Sequence, residues 1–203
     1  MSAGTRAPRW LAPRALDELL ARLAAAGGLV APVRVDGEVL FVEVGDPAEI
    51  CRDYVNAHVP PKEHLLPPRE RLLAYRVEGG ETVLEPEPAG PERERAIFGI
   101  RSCDVAGLAY LERFFSGGLF GRPDTADEGF MRRREATTLI SVVCGRAGPT
   151  CMCVCGEGGP ALERGFDWQL TGLPEGWLVE IGSGRGERLA ARHADLLAPA
   201  PDV

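Results

Sequence analysis

The sequence predicts an α/β fold, with a small N-terminal helix-and-hairpin region followed by a βαβ-like core, and three observations carry that prediction. Two short apolar runs, 96–100 and 137–143, read as buried strands of the parallel type, because a strand covered on both faces loses polar alternation. Between them, 104–115 sets Val105, Leu108, Leu111 and Phe115 along one helical face. Ahead of both, 29–35 and 39–44 flank Asp36-Gly37, a strong hairpin signal. The expected division is 1–90 as the N-terminal region and 91–203 as the core carrying a cysteine site, or the two as one continuous domain.

The remaining elements follow in chain order. Residues 13–26 repeat apolar positions at helical spacing, and Gly27-Gly28 is a fitting stop. Asp46-Pro47 offers an N-cap and first-turn proline for a helix to about Ala57, with Cys51 in its core and no role in metal binding. The proline-punctuated stretch 59–68 is a loop or linker. Residues 72–77 and 82–85 bracket Glu78-Gly79-Gly80-Glu81 as a second hairpin, and 86–95 is a polar, proline-rich surface loop. Asp104 is the expected cap of the helix to Phe115. Short strands at 168–170 and 177–181 precede a final helix from Ser183 to Leu197.

Composition narrows the function classes. With 203 residues and 45% apolar content the chain can bury a real core. A net charge of −7 disfavours nucleic acid and anionic membranes as partners. No apolar stretch approaches the roughly 20 residues that span a bilayer, and the N-terminus lacks a signal peptide's apolar core, so a cytoplasmic location is expected. In a reducing compartment six cysteines are ligands or free thiols before they are disulfides.

Four of those cysteines, Cys144, Cys151, Cys153 and Cys155, fall within twelve residues just past the 137–143 strand. A fifth, Cys103, follows the 96–100 strand. Neighbouring parallel strands would open both loops at the carboxyl edge of one sheet, where open α/β sheets place ligands. Converging thiolates suit an iron–sulfur cluster or tetrahedral zinc. The C-x6-C-x-C-x-C spacing has neither the close pairs of zinc knuckles, unless Cys151 is counted with Cys155, nor the bacterial ferredoxin run. Spacing alone therefore leaves a cluster, structural zinc and metal-free thiols open. Gly145, Gly148, Pro149 and Gly156 favour a cluster, since they let backbone N–H groups approach inorganic sulfide. In an extended backbone Cys153 and Cys155 would share a side, so alternation does not choose between them.

Other charged residues are less specific. Arg101, two residues before Cys103, is placed to stabilise a cluster's negative charge. Lys62, the sole lysine, sits with Glu63 and His64 in the proline-framed loop, presented to a ligand or simply solvated. Arg132-Arg133-Arg134 could neutralise an anionic cofactor or bind a partner's carboxylates, although such runs are more often surface. Gly182-Ser183-Gly184-Arg185-Gly186 lacks the dinucleotide-binding pattern and reads as a strand-to-helix turn. No nucleophile, general base, or flavin or nicotinamide fingerprint is evident, so no bond chemistry is predicted.

Several elements in order resemble one family: Pro60-Pro61-Lys62, Leu66-Pro67, Glu70-Arg71-Leu72, Phe98-Gly99-Ile100-Arg101-Ser102-Cys103-Asp104, Phe130 with Arg132-Arg133, Cys144 with Cys151-Met152-Cys153, Gly165-Phe166-Asp167 and Leu170-Thr171. Over about residues 55–185 the chain is similar to the N-terminal region of the iron–sulfur subunits that include the beta subunit of cytoplasmic nickel–iron sulfhydrogenases and the A subunit of anaerobic sulfite reductases. The resemblance implies a 4Fe–4S cluster on Cys103, Cys144, Cys151 and Cys153, with Cys155 as reserve ligand and Arg101 and Lys62 as cofactor-binding residues. It implies an electron-transfer subunit between a flavin- and NAD(P)-linked subunit and a catalytic oxidoreductase partner. The 60–68 loop and Arg132–Arg134 are then the expected docking surface. Such subunits normally continue into a ferredoxin-like domain with two further clusters; ending at Val203, the chain is expected to be a fragment or a stand-alone version. The competing functions are a zinc module that only assembles a complex, and a metal-free domain binding a small ligand at its sheet edge.

Overall fold

The computed structural model describes residues 7–71, 73–85, 93–156 and 158–201, and it is a mixed α/β fold. Strand β1 (Arg9–Leu11) leads into α1 (Pro13–Ala25), and the antiparallel hairpin of β2 (Leu29–Val35) and β3 (Glu38–Glu43) follows. A second hairpin, β4 (Ala74–Glu78) with β5 (Glu81–Glu85), forms a sheet of its own. Then come β6 (Arg95–Ile100), α2 (Ser102–Phe115), α3 (Glu128–Glu135), β7 (Thr137–Val142), β8 (Trp168–Leu173), β9 (Gly176–Ile181), α4 (Gly184–Arg192) and β10 (Ala198–Pro199). The main sheet runs β10-β1-β9-β8-β7-β6-β2-β3 and draws strands from both halves of the chain. Its centre is parallel from β2 through β6 and β7 to β8, with β3 and β9 antiparallel outside them.

Each element has a local cause. Leu16, Leu19, Leu20 and Ala24 give α1 one buried stripe, and Pro13 occupies its first turn. Gly28 ends it at φ +106°, where a Cβ would stand 2.5 Å from the Glu94 carbonyl oxygen, so only glycine lets the chain pass β6 this closely. The Asp36-Gly37 turn takes positive φ at both residues, as a type I′ hairpin requires. In β6, Ala96 and Phe98 pack with α1's face of the sheet while Ile97 packs on the other. A register shift at Gly99 then sends Ile100 to Ile97's side, beneath Val105 and Leu108 of α2.

Three expected helices need correction. The helix expected over 46–57 is a single 3-10 turn, Pro47–Glu49, although Asp46 does cap it by accepting from the Ala48 N–H. β2 meets β6 only at Leu29 and Val30, which leaves the Pro32 carbonyl to accept from the Cys51 N–H at 2.7 Å, and the Val39 carbonyl takes the His58 N–H. Strand pairing outcompetes the helix there. Cys51 itself is partly buried against the core. The cap of α2 is Arg101 and not Asp104, so the helix begins three residues earlier and Cys103 lies inside its first turn. The last helix stops at Arg192, and the chain then adds β10 at the sheet edge beside β1, two short strands with no periodic pattern to announce them. Of the expected surface loop 86–95, residues 86–92 lie outside the described residues.

Candidate metal centre

Two loops leave the carboxyl ends of neighbouring parallel strands, and each carries cysteine. β6 passes almost directly into α2, whose first turn holds Ser102, Cys103 and Asp104. β7 ends two residues before Cys144, after which the described chain makes only turns and bends as far as β8. Ile100 pairs with Ser141 across these strands, so both loops open on one cavity of about 730 Å³. Cys103, Cys144, Cys151 and Cys153 line it, and Cys155 does not. The reason is local: the N–H groups of Cys155 and Gly156 both donate to the Met152 carbonyl, at 3.0 and 3.2 Å, and this turn removes the alternation an extended backbone would impose.

The cysteine loop is tied to the fold by few contacts. The Ser102 hydroxyl donates to the Gly159 carbonyl at 2.8 Å, and the Cys144 N–H donates to the Pro160 carbonyl at 3.3 Å. At its middle the Gly148 N–H points at the Cys151 sulfur, 3.1 Å away, and the Asn56 amide stands 3.9 Å from the same atom. A Cβ on Gly148 would come within 3.0 Å of Val55. Met152 and Val154, between the cysteines, are 74% and 77% exposed.

Burial pushes the Cys103 thiol above its ordinary value, as does the Asp104 carboxylate, while the Asp104 backbone N–H pulls it down. Burial likewise raises Cys144, opposed by the Arg101 charge and reinforced by Cys153 and Cys151. As free thiols, Cys103 and Cys144 are therefore protonated at neutral pH, and a bound cation would reverse this. Arg101 is 6% exposed. Its guanidinium lies 4.1 Å from the Tyr54 ring centroid, donates to the Tyr54 and Val142 carbonyls, and keeps a buried Nε without a hydrogen-bond partner. Lys62 borders an adjoining cavity with Cys103 and Asp104, and its charge helps hold down an Asp104 carboxyl that burial raises.

Two members of the arginine run are buried in ion pairs. Arg133 and Arg134 are 9% and 6% exposed; Arg133 holds Glu70 at 2.6 Å and the Leu65 carbonyl, and Arg134 holds Glu112 at 3.1 Å. They stitch α3 to the 61–70 segment and to α2, which leaves Arg132 as the exposed member of the triplet. Sequence reading missed Tyr54 and Asn56 because their segment read as helix, and no spacing signal marks either.

Among the described residues, no group of three or more Cys, His, Asp or Glu side chains is placed so as to hold a metal ion. The cavity does offer four thiols, a donor set suited to soft metals, with close glycine backbone and an N–H directed at sulfur. In number and type these residues could hold an iron–sulfur cluster or zinc.

No family model and no solved structure matches the chain. It is similar to the beta subunit of sulfhydrogenase 2 from Pyrococcus furiosus, 31% identical over 180 residues. The match takes in 88% of this chain and 49% of that protein, so the chain spans about half the length of the curated relative. No helix of the described residues is long and apolar enough to cross a membrane. The homology supports the family suggested by the motifs: over most of its length, the chain is related to the beta subunit of a sulfhydrogenase.

Proposed function

We propose that the chain is the cluster-bearing part of an electron-transfer subunit in a hydrogenase-type oxidoreductase, with Cys103, Cys144, Cys151 and Cys153 holding one 4Fe–4S cluster. The observation that supports this most is that these four thiols, from loops after two adjacent parallel strands, border one cavity that Cys155 does not. The bound cluster would supply one-electron redox chemistry.

The rest is the work of the protein. Cys103 sits in the first turn of α2, whose backbone N–H groups partly offset the burial that raises its thiol. The Gly148 N–H donates to the Cys151 sulfur, and such bonds raise a cluster's reduction potential. Arg101, buried beneath Cys144, adds fixed positive charge in the same direction. Lys62 lends a second, more exposed charge beside Cys103. The exposed Met152 and Val154 border the same cavity and leave its rim bare, where a partner subunit could approach within electron-transfer distance. A flavin- and NAD(P)-linked subunit is the proposed donor or acceptor on one side and a catalytic subunit on the other.

Anaerobic purification tests this reading. Brown protein with about four iron and four sulfide per chain and a broad band near 400 nm that bleaches on reduction is expected. Colourless protein carrying stoichiometric zinc would assign the cavity to a structural metal instead.

A further inference from the structure

At the opposite, amino edge of the sheet lies a second cavity, of about 230 Å³, between the end of α1, the first residues of β6 and β7, and α4. Five arginines reach it, Arg93, Arg95, Arg185, Arg188 and Arg192, against two lining carboxylates, Glu94 and Glu135. In a chain of net charge −7 this is a local inversion of sign. We infer that this pocket binds a small oxyanion carrying two or more negative charges, of the phosphoryl or polycarboxylate kind.

Several of the arginines have internal partners. Arg95 donates to the His64 carbonyl at 2.8 Å, and Arg93 meets Glu43 at 2.9 Å, so both are engaged. Arg185 donates to the Glu135 carbonyl at 2.7 Å, which caps the end of α3. Its Nε is buried without a hydrogen bond and stands 3.6 Å from Asp167 as an ion pair, so Arg185 is engaged as well. Arg192 reaches a single Glu94 oxygen at 3.4 Å, an exposed and weak pair. Arg188 has no hydrogen bond or ion pair among the described residues. Arg185, Arg188 and Arg192 recur at helical spacing on one side of α4, where like charges repel unless an anion lies between them. Arginine's planar fork suits bidentate contact with phosphate or carboxylate. The volume falls below the roughly 300 Å³ of sites for drug-sized ligands, which selects a compact anion over a nucleotide. The glycine-rich turn before α4 is not the cradle, since its Gly186 N–H is already bonded to the Ser183 hydroxyl.

Isothermal titration of the full chain with inorganic pyrophosphate and, separately, with citrate tests this, with sodium chloride at matched ionic strength as reference. Saturable binding of either probe is expected, weakened at least about tenfold in Arg188→Gln/Arg192→Gln, which removes two bidentate donors at exposed positions and leaves the buried core untouched. The tighter probe assigns the anion class. Heat no larger than that of sodium chloride, or equal affinity in the double variant, would overturn the inference. Because excluded anions stabilise proteins in general, a rise in melting temperature that the double variant shares counts against the site.

Discussion

The two edges of the parallel strands are made from opposite materials. At the carboxyl edge, thiols and apolar side chains such as Val55, Ala106 and Met152 surround a wide cavity on a loop of turns, with few bonds tying it down. At the amino edge, arginines on a regular helix and on strand starts surround a narrow cavity, and most of them are tied to carbonyls or carboxylates. The difference teaches where stability and function reside. Regular elements close the amino edge, so a change there is felt by the whole fold. With the proposed cluster at the carboxyl edge, changes there should alter cofactor content before they alter folding.

The largest effect should come from the core that separates the edges. Trp168 is fully buried and its Nε1 donates to the Gly186 carbonyl at 2.8 Å. Trp168→Ala should cost about 3–5 kcal/mol in urea unfolding of the metal-free protein, whereas Met152→Ala and Val154→Ala should each stay within about 0.5 kcal/mol. A comparable loss at Met152 or Val154 would mean that the cysteine loop is packed, not bare.

Glycine substitutions sharpen the contrast. Gly28→Ala at the amino edge forces a positive φ on alanine and a clash with the Glu94 carbonyl, so a loss of about 1–3 kcal/mol is expected. Gly145→Ala at the carboxyl edge meets nothing within 4 Å and has an ordinary φ. Its unfolding midpoint should match that of the parent.

A smaller effect is one of pH, with opposite slopes at the two edges. Burial holds the Asp104 carboxyl above its ordinary 3.8, so folding favours the protonated form. Its contribution is present below that value and is lost as pH rises through the higher folded one. Burial, with Arg22 and Arg192, holds His193 below its ordinary 6.5, and folding favours the neutral ring. That contribution is complete above 6.5 and is lost as pH falls through the lower folded value. Asp104→Asn should therefore stabilise the metal-free protein near pH 7, and His193→Gln should flatten its loss of stability between pH 7 and 5. Unfolding curves that keep the same pH slope in both variants would contradict the assignment.

The sheet's centre was legible because its parallel strands are short runs with few charged residues, buried on both faces: 96–100 and 137–143 could be read directly, and their adjacency put the loops of Cys103 and Cys144 side by side. The 46–57 segment was not, since Asp46-Pro47 opens it like a helix while the Pro32 carbonyl of β2, invisible in sequence, claims the Cys51 N–H. β1 and β10 were too short to show a period. Within the site, cysteine spacing located the loop but could not choose between Cys153 and Cys155, because that choice depends on a turn at Met152. The arginine triplet misled for a related reason: guanidinium groups look solvent-bound in sequence, yet Glu70 and Glu112, distant in the chain, draw Arg133 and Arg134 inward.

The most direct measurement is iron and sulfide content after anaerobic reconstitution of Cys103→Ser, Cys144→Ser, Cys151→Ser, Cys153→Ser and Cys155→Ser side by side. The account predicts about four iron per chain and an intact visible band in Cys155→Ser, with the cluster lost or much diminished in each of the other four. A Cys155→Ser variant that loses its cluster while Cys153→Ser keeps it would contradict the claim that the four thiols lining the cavity are the ligands.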